Sequence, residues 1–558
     1  MNKVSENLNL SKSIFRFFQM IRLERKEITD LYIFAILSGF IQLSLPLGIQ
    51  AIINFAFLAT GGNNLPISMW VLIILVVLGV FLSGLMKIHQ MKIVEKIQQK
   101  LFTRYAFEFT LRLPKINVQA LEGYYLPELV NRFFDTITLQ KSFSKLLLDI
   151  PTAIIQLIFG LILLSFYNPV FIVFGIVLLL ILYVILYFSF PSGYAASLTE
   201  SDYKYKVAYW IQEIARGVKS FKFFQKHQWH LEKTDHLVGG YLDARTKHFN
   251  VLKIQFASLV SFKILITAAM LMVGSILLIQ QKINVGQFIA AEIIILMVIT
   301  AVEKLIESLE NIYDILTSLE KVNKVVEKPM ESDGKTIYQR SGNGMRIAAT
   351  ELSFSFGTQP VLSDINFSIS PGQKIAIMGD SDSGKTMLLR LMTGGYQNFK
   401  GSLLINNIPI ANYDMQELRS NISVLVQKQD IFAGTLWENL TMGNERINNQ
   451  QILNILSVVG LLSFFEEQSS GFDTPLQSTG IGLSTSVLQK ILLARVLLQN
   501  SDLMLMDEPF ASIPSEDRSR ILEYIMKDTS RTVVFATQDD WLASHCDEKL
   551  YLKNGKIQ

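Results

Sequence analysis

Six long apolar runs, separated by polar connections, dominate the first part of the chain. They lie at residues 31–58, 69–86, 146–166, 170–190, 256–279 and 285–305. A helix of roughly 20 apolar residues crosses the hydrocarbon core of a bilayer, and these runs are of that order. The pattern therefore predicts an α-helical transmembrane region with six spans.

Two of the predicted spans continue as helices beyond the membrane, because apolar residues keep recurring every three to four positions. After the second span the series comprises Ile93, Ile97, Leu101, Tyr105, Phe109 and Leu113. After the sixth it comprises Leu305, Leu309, Ile312, Leu316, Leu319, Val322 and Val326. Polar residues fill the other faces, so we expect helices that project far into the aqueous phase.

The connections between the spans differ sharply in their content of basic residues. The long connections at 87–145 and 191–255 are rich in Lys and Arg, whereas 59–68 and 167–169 carry none and 280–284 carries only Lys282. Residues 1–30 carry Lys3, Lys12, Arg16, Arg22, Arg25 and Lys26. The positive-inside rule then places both termini in the cytoplasm and three short loops outside. We therefore expect a multi-pass protein in the lipid bilayer of the cell inner (cytoplasmic) membrane.

Composition supports the membrane interpretation and excludes other classes. The 558-residue chain is 50% hydrophobic, with a mean hydropathy of +0.33, which is too apolar for an ordinary soluble protein. Its formal net charge of +3 gives no case for nucleic-acid binding. The single cysteine, Cys546, rules out an intramolecular disulfide.

Two charged residues, Lys263 and Glu292, fall inside apolar spans, where charge usually marks a substrate pathway. Counting along the two helices from the intervening turn, their depths differ by roughly 13 Å, which argues against an ion pair. Glu292 is a candidate for the substrate pathway. For Lys263 a second interpretation is open, in which its ammonium group extends toward the inner membrane interface and has no role in the pathway.

A phosphate-binding loop follows in the C-terminal part of the chain. An apolar run at 375–378 reads as a strand, and 387–391 reads as a helix. Between them lie Gly379, Asp380, Ser381, Asp382, Ser383, Gly384, Lys385 and Thr386. In this order the backbone N–H groups and the helix N-terminus favour bound phosphates, Lys385 reaches the terminal phosphates, and the Thr386 hydroxyl is a ligand for Mg²⁺.

A second buried strand ends in two adjacent carboxylates, Asp507 and Glu508. Beside a phosphate loop, Asp507 would hold Mg²⁺ through water, and Glu508 would act as the general base on the attacking water. These motifs predict an α/β P-loop NTPase domain that binds phosphate groups and Mg²⁺. We expect a cytoplasmic segment at 1–30, a transmembrane domain at 31–320, a linker at 321–345 and a nucleotide-binding domain at 346–558.

With six spans followed by such a domain, the chain resembles an ABC exporter half-transporter. Within that superfamily it is similar to exporters of bacterial type I secretion systems, on segments 284–290, 127–133 and 213–219. The last two segments are where such proteins carry the coupling helices that dock on the nucleotide-binding domain. No cysteine-protease domain precedes the first span, so we do not expect leader-peptide cleavage by this chain.

The resemblance implies further roles in the soluble domain. Phe356 matches the aromatic residue that stacks on adenine. Gln427 matches the glutamine that contacts Mg²⁺ and senses the γ-phosphate. Residues 489–490 and 494–495 match the helix after the family's signature sequence and fix the register there, so that Ser484 is the signature serine.

In that register the chain departs from the family pattern. The signature Leu-Ser-Gly-Gly-Gln is Leu-Ser-Thr-Ser-Val at 483–487, so Thr485 and Ser486 replace glycines. Asp382 replaces the central glycine of the phosphate loop, Pro514 replaces an aspartate, and Gln538 replaces the histidine that contacts the γ-phosphate. These changes predict a poor ATPase in a symmetric dimer, although the predicted base Glu508 is retained.

Two interpretations therefore remain open. In the first, the chain is an ATP-driven exporter subunit that works as a homodimer, or as a heterodimer with a second ABC half-transporter. In the second, it is a catalytically weak or non-catalytic regulatory half of a heterodimer. The resemblance favours a polypeptide substrate and a periplasmic adaptor protein as partner, as in type I secretion.

Overall fold

The computed structural model describes residues 2–58, 67–121, 125–223, 228–426 and 431–558. The chain divides into two compact units. The first comprises Met1–Lys115 and Gly123–Lys328, and the second comprises Ile116–Glu122 and Pro329–Gln558. The last helix of the first unit continues to Val326, so it occupies the beginning of the segment that the sequence assigned to a linker.

The first unit is helical throughout its described length. Its helices are α1 (Asn2–Leu23), α2 (Arg25–Gln42), α3 (Ser44–Leu58), α4 (Ile67–Arg112), α5 (Leu126–Val130), α6 (Asp135–Tyr167), α7 (Val170–Arg216), α8 (Val218–Phe223), α9 (Trp229–Ile279) and α10 (Val285–Val326). Six of its helical segments are long and apolar enough to cross a membrane, which confirms the six predicted spans.

The first span is interrupted, which the apolar pattern did not predict. Helices α2 and α3 meet at Leu43, and Pro46 lies one turn further on. Proline has no backbone N–H, so the carbonyl of Gln42 loses its usual helical partner at this point. The described part of the span therefore crosses as two helices, joined where this hydrogen bond is missing.

The predicted extensions of the second and sixth spans are confirmed. Helix α4 has 46 residues and α10 has 42, about twice the length that a bilayer requires. Buried side chains continue along α4 from Val94 through Leu101 to Phe109. Helix α10 begins with a capping box, in which Asn284 and Gln287 bond reciprocally to each other's backbone N–H.

The structure gives different surroundings to the two charges inside the spans. Lys263 donates to Glu303 Oε1 at 2.7 Å, which joins α9 to α10 by an ion pair. The expectation that Lys263 only extends toward the interface missed this partner, because Glu303 is close in space but forty residues away in sequence. Lys263 and Glu292 do not pair, as expected. Among the described residues, no hydrogen bond or ion pair is formed by Glu292.

A close helix contact in this unit yields a test of its packing. Gly193 on α7 faces the fully buried ring of Tyr313 on α10, and a Cβ atom there would overlap the ring. We expect Gly193→Ala to lower the free energy of unfolding by about 1–3 kcal/mol, because the ring has to move. Thermal unfolding of the purified chain measures the change. Gly84→Ala on α4 is the control, since a Cβ there meets no atom within 4 Å, and an equal melting temperature for both variants would contradict the prediction.

The second unit is an α/β structure with three sheets. Its strands are β1 (Ile347–Phe356), β2 (Gln359–Ile369), β3 (Lys374–Met378), β4 (Lys400–Ile405), β5 (Ile408–Pro409), β6 (Ile422–Leu425), β7 (Gly434–Thr435), β8 (Pro475–Leu476), β9 (Leu503–Asp507), β10 (Thr532–Thr537), β11 (Glu548–Lys553) and β12 (Lys556–Ile557). The larger sheet has the order β12-β11-β3-β10-β9-β6, and a second sheet has the order β2-β1-β4-β5.

Eight helices pack around these sheets in the described part of the unit. They are α11 (Lys385–Met392), α12 (Met415–Ser420), α13 (Leu436–Thr441), α14 (Asn449–Val459), α15 (Leu462–Glu466), α16 (Thr485–Leu498), α17 (Ser515–Lys527) and α18 (Asp540–Ser544). The helical region followed by an α/β unit confirms the predicted fold class.

The larger sheet determines where functional side chains can lie. Strands β3, β9 and β10 are buried along their whole length and pair in parallel. Strands covered on both faces are built from continuous apolar runs, which is why the sequence identified β3 and β9. Their carboxyl ends lie at one edge of the sheet, where ligands bind in open α/β folds.

One short segment between the second and third spans belongs to the second unit. Ile116 is buried and pairs with Met330 in an isolated bridge, and Asn117 N donates to Pro329 O at 3.0 Å. Val118 packs against a hydrophobic core that includes residues of β1, β3 and β9. The described part of this short segment therefore belongs to the core of the second unit, although the helices on either side of it belong to the first.

Candidate functional site

The loop between β3 and α11 has the backbone shape of a phosphate-binding loop. Gly379 has φ +151° and Gly384 has φ +104°, in the region that favours glycine. A Cβ atom at Gly379 would overlap Leu552 O, and one at Gly384 would lie 2.8 Å from Leu362 Cδ2. Both glycines are therefore required by the tight packing of the loop against its neighbours.

Lys385, the first residue of α11, folds its side chain back over this loop. Its Nζ donates to Gly379 O at 2.5 Å and to Asp380 O at 2.7 Å, and the side chain is buried. The ammonium group is thus held above the loop, where phosphate oxygens would replace these carbonyls as acceptors. This position suits the role predicted for Lys385.

Two of the residues predicted to hold Mg²⁺, Thr386 and Asp507, lie in direct contact. Thr386 Oγ1 donates to Asp507 Oδ2 at 2.7 Å. Asp507 ends β9 and is only 3% exposed, so its carboxylate is fixed beside the start of α11. A hydroxyl and a carboxylate next to a phosphate loop are oxygen ligands of the kind that Mg²⁺ prefers.

Glu508 is fixed at the adjacent strand ends. It has φ +45°, and its N–H donates to Ala536 O at 2.8 Å. Thr537 Oγ1 donates to Glu508 Oε2 at 3.0 Å. Burial raises the pKa of the Glu508 carboxyl, and the hydrogen bond from Thr537 opposes that shift. A carboxylate held rigidly in this way can accept a proton from a water molecule.

Gln538 lies directly after β10 and reaches the phosphate loop. Its Nε2 donates to Ser381 Oγ at 3.1 Å, so two predicted site residues form a bond that the sequence did not predict. Asp382, in the same loop, is exposed and has φ +61°. Aspartate tolerates this conformation better than most residues, which explains how it can stand where the family has glycine.

The altered signature begins a helix, as the register predicted. Ser484 is the N-cap of α16, and its Oγ accepts a hydrogen bond from Val487 N at 3.3 Å. Val487 packs partly buried against the core, and Thr485 is exposed. Among the described residues, no hydrogen bond joins Ser484 to the phosphate loop, so within one chain these two parts of the predicted site are not linked.

Pro514, which stands where the family has an aspartate, is the N-cap residue of α17. It directly precedes α17, and its carbonyl accepts from Arg518 N at 3.1 Å. Arg518 Nε also donates to Ile513 O at 2.9 Å. The proline therefore starts a regular helix at a position where the family has a carboxylate.

Two further predicted site residues are Phe356, at the end of β1, and Gln427. Phe356 ends β1 and is half-buried, with its ring edge-on to Phe354 at 5.0 Å and to Tyr396 at 6.0 Å between centroids. Gln427 lies outside the described residues. Sequence reasoning missed Thr537, because its contact with Glu508 depends on the pairing of β10 with β9, which the sequence motifs do not specify.

Comparison with known proteins identifies the class to which this architecture belongs. Residues 31–302 match the family described as ABC transporter transmembrane region, and residues 362–511 match the family described as ABC transporter. Together the two matches cover most of the chain. The chain belongs to the ABC transporters, as the sequence motifs predicted.

Curated relatives agree with this assignment. The chain is 26% identical to the mesentericin-Y105 transport/processing ATP-binding protein MesD of Leuconostoc mesenteroides, over 62% of this chain and 48% of that protein. It is 25% identical to the transport/processing ATP-binding protein ComA of Streptococcus pneumoniae, over 77% and 60% respectively. It is 30% identical to the glutathione/L-cysteine transport system protein CydC of Haemophilus influenzae, over 44% of each chain. The match spans about half the length of these relatives.

A solved structure supports the fold. The structure of a bacterial Atm1-family ABC exporter with ATP bound matches with a TM-score of 0.84, at 18% identity, over 96% of this chain and 94% of that chain. This likeness extends over both parts of the chain and agrees with the helical region followed by a nucleotide-binding domain.

Proposed function

We propose that this half-transporter uses Mg²⁺-ATP at the edge of the larger sheet to drive export of a substrate across the cytoplasmic membrane. One observation carries the proposal. Asp507 and Glu508 lie at the carboxyl end of β9, Lys385 and Thr386 begin the helix that follows β3, and the bond from Thr386 to Asp507 joins the two groups. This is the set of groups that phosphoryl transfer to water requires.

The chain's own residues supply binding and proton transfer. The loop amides and the Lys385 ammonium group would hold the phosphates, and Phe356 would stack on the adenine. Thr386, Asp507 and Gln427 would hold Mg²⁺, which neutralises charge on the phosphates when bound. Glu508 would orient the attacking water and accept its proton, while Thr537 fixes the direction of the carboxylate.

A second subunit would complete each site. In this fold class a helix N-terminus preceded by Ser484 faces the γ-phosphate of the partner, where its amides stabilise negative charge. Thr485 and Ser486 bring side chains to that contact, which favours pairing with a different half-transporter that supplies an unaltered signature. A homodimer is the alternative, and it would hydrolyse ATP slowly.

A polypeptide is the substrate that the relatives favour. The names of MesD and ComA describe transport and processing proteins, and the sequence resembles type I secretion exporters. A periplasmic adaptor would then continue the path beyond the inner membrane. CydC, named for glutathione and cysteine, shows that this architecture also occurs with small-molecule substrates.

A non-catalytic regulatory half is the second candidate function. It is favoured by the exposed carboxylate of Asp382 in the phosphate loop and by the neutral Gln538 in place of a histidine. Retention of Glu508, with a supporting bond from Thr537, favours catalysis instead. ATP turnover by the purified chain that is lost in Glu508→Gln would support the catalytic candidate.

Nucleotide binding provides the first test of the site. Lys385→Ala should weaken binding of a fluorescent ATP analogue by at least about tenfold, because charge-assisted hydrogen bonds to the phosphates are lost. The measurement is a titration of the chain in lipid nanodiscs in the presence of Mg²⁺. Lys400→Ala, at an exposed position on β4, is the control. Unchanged affinity in Lys385→Ala would show that the phosphate loop is wrongly assigned.

A further inference from the structure

A small polar cavity lies inside the first unit, away from the nucleotide site. Its volume is about 90 Å³, and it is formed where α6, α7, α9 and α10 converge. Its charged and titratable lining residues are Asp135, Glu200, Lys204, Arg245, His248 and Asp314. None of them has a role in the proposed chemistry of ATP.

His248 on α9 is the unusual member of this group. Its side chain is 3% exposed, and its Nδ1 lies 2.6 Å from Glu200 Oε2 on α7. An ionised carboxylate only accepts hydrogen bonds, so Nδ1 is the donor. The other ring nitrogen, Nε2, is buried and has no hydrogen-bond partner among the described residues. Burying such an atom without a hydrogen bond costs free energy, so we expect a further group in the cavity to bond to it.

The charges around the imidazole do not balance when it is neutral. Arg245 pairs with Glu200 at 3.1 Å, and Lys204 on α7 pairs with Asp135 on α6 at 3.2 Å. Asp314 on α10 receives only a hydrogen bond from Ser142 at 3.4 Å and has no cationic partner within the described residues. The lining therefore holds three carboxylates against two cations, and one further positive charge would neutralise it.

Other titratable groups nearby do not supply that charge. Tyr313 on α10 presents its ring to His248, with centroids 6.3 Å apart. Tyr241 on α9 bonds through its hydroxyl to Glu200 at 3.5 Å. Glu310, one turn before Asp314, is exposed and adds negative charge. Tyr205 on α7 donates its hydroxyl to Asp135 at 2.5 Å.

We propose that this cavity is a proton-binding site that links the packing of α9 to pH. A proton from water adds to the lone pair of His248 Nε2, and no other covalent bond changes. The new N–H donates to an ordered water, for which the cavity has room, and that water donates to Asp314. The bond from Nδ1 to Glu200 is kept. Proton uptake thereby joins α9 to both α7 and α10.

The cavity is placed where protons can reach it from water. Helix α9 ends at Ile279, and His248 lies about 46 Å back along the helix axis. This exceeds the roughly 30 Å of the hydrocarbon core, so the cavity lies beyond it, on the cytoplasmic side in the proposed orientation.

Hydrogen–deuterium exchange of the full chain in lipid nanodiscs tests the proposal. The observable is local opening of peptides covering residues 241–256, corrected for the intrinsic pH dependence of exchange. Since the proposal gives the packed state one more proton than the opened state, opening should increase as pH rises, by at most tenfold per pH unit. His248→Gln should remove this pH dependence. His236→Gln, at an exposed position on the same helix, should retain it.

Two outcomes would overturn the proposal. One is the same pH profile in the wild type and His248→Gln, and the other is a uniform loss of protection at every pH in that variant, which would mean a purely structural role. If His248→Gln does not fold, Asp314→Asn decides, because loss of the negative charge beside the proposed cation should move the pH profile to lower pH. An unchanged midpoint in Asp314→Asn would contradict proton binding at this cavity.

Discussion

Glu508→Gln is expected to reduce ATP turnover by the chain in lipid nanodiscs by about 10²–10⁴-fold, the usual contribution of a positioned general base. Glutamine has the shape of glutamate and can still accept the hydrogen bond from Thr537, so the site geometry should survive. The neutral amide cannot take a proton from water. Binding of the ATP analogue should therefore remain while turnover is lost.

Glu516→Gln is the matched control, because Glu516 is exposed in the first turn of α17 and lies outside the site. The pH profile adds a second readout. Since burial raises the pKa of the Glu508 carboxyl, turnover should begin to fall at a higher pH than an exposed glutamate would give as the solution is acidified. Equal turnover in Glu508→Gln and the wild type would remove Glu508 from the mechanism. Absence of turnover in both would point to an obligate partner subunit or to the non-catalytic candidate.

The helices of the first unit could be predicted because their signals are local. The apolar runs match the thickness of a bilayer, and the four-residue repeat after the second span gives the extension of α4. The break at Leu43 was missed, although Pro46 is a local signal for it. The ion pair of Lys263 with Glu303 and the cavity at His248 depend on contacts between distant helices, which one sequence does not specify.

The candidate site was predictable to a similar extent. The phosphate loop and the acidic strand end have fixed patterns that follow from chemistry, so Lys385, Thr386 and Asp507 could be named before their contacts were known. The supporting bonds could not be predicted in this way. Thr537 supports Glu508, and Gln538 reaches Ser381, because β10 lies between β3 and β9 in the sheet. That strand order is a property of the fold and is not written in either motif.

Restoring the signature, with Thr485→Gly and Ser486→Gly together, is expected to raise the ATP turnover of a homodimer by about 10²–10³-fold. That is the usual effect of one preorganised donor to transition-state charge. Glycines at these positions allow the helix N-terminus of one subunit to approach the γ-phosphate held by the other. Ser484 still caps the helix, and Arg495 still anchors it through Asn439 O at 2.8 Å, so the fold should tolerate the change.

The control for this experiment places glycines at the same two positions, the first and second, of another capped helix. Asn449→Gly and Gln450→Gly occupy the first two positions of α14, which Asn448 caps, and both positions are exposed. This control should leave turnover unchanged, so any gain in the signature variant would reflect the approach of the amides. A gain would mean that the altered signature limits ATP turnover in a homodimer. It would also favour a natural partner subunit whose signature keeps both glycines. No gain would instead place the limit at Asp382 or Gln538, which Asp382→Gly and Gln538→His would then separate.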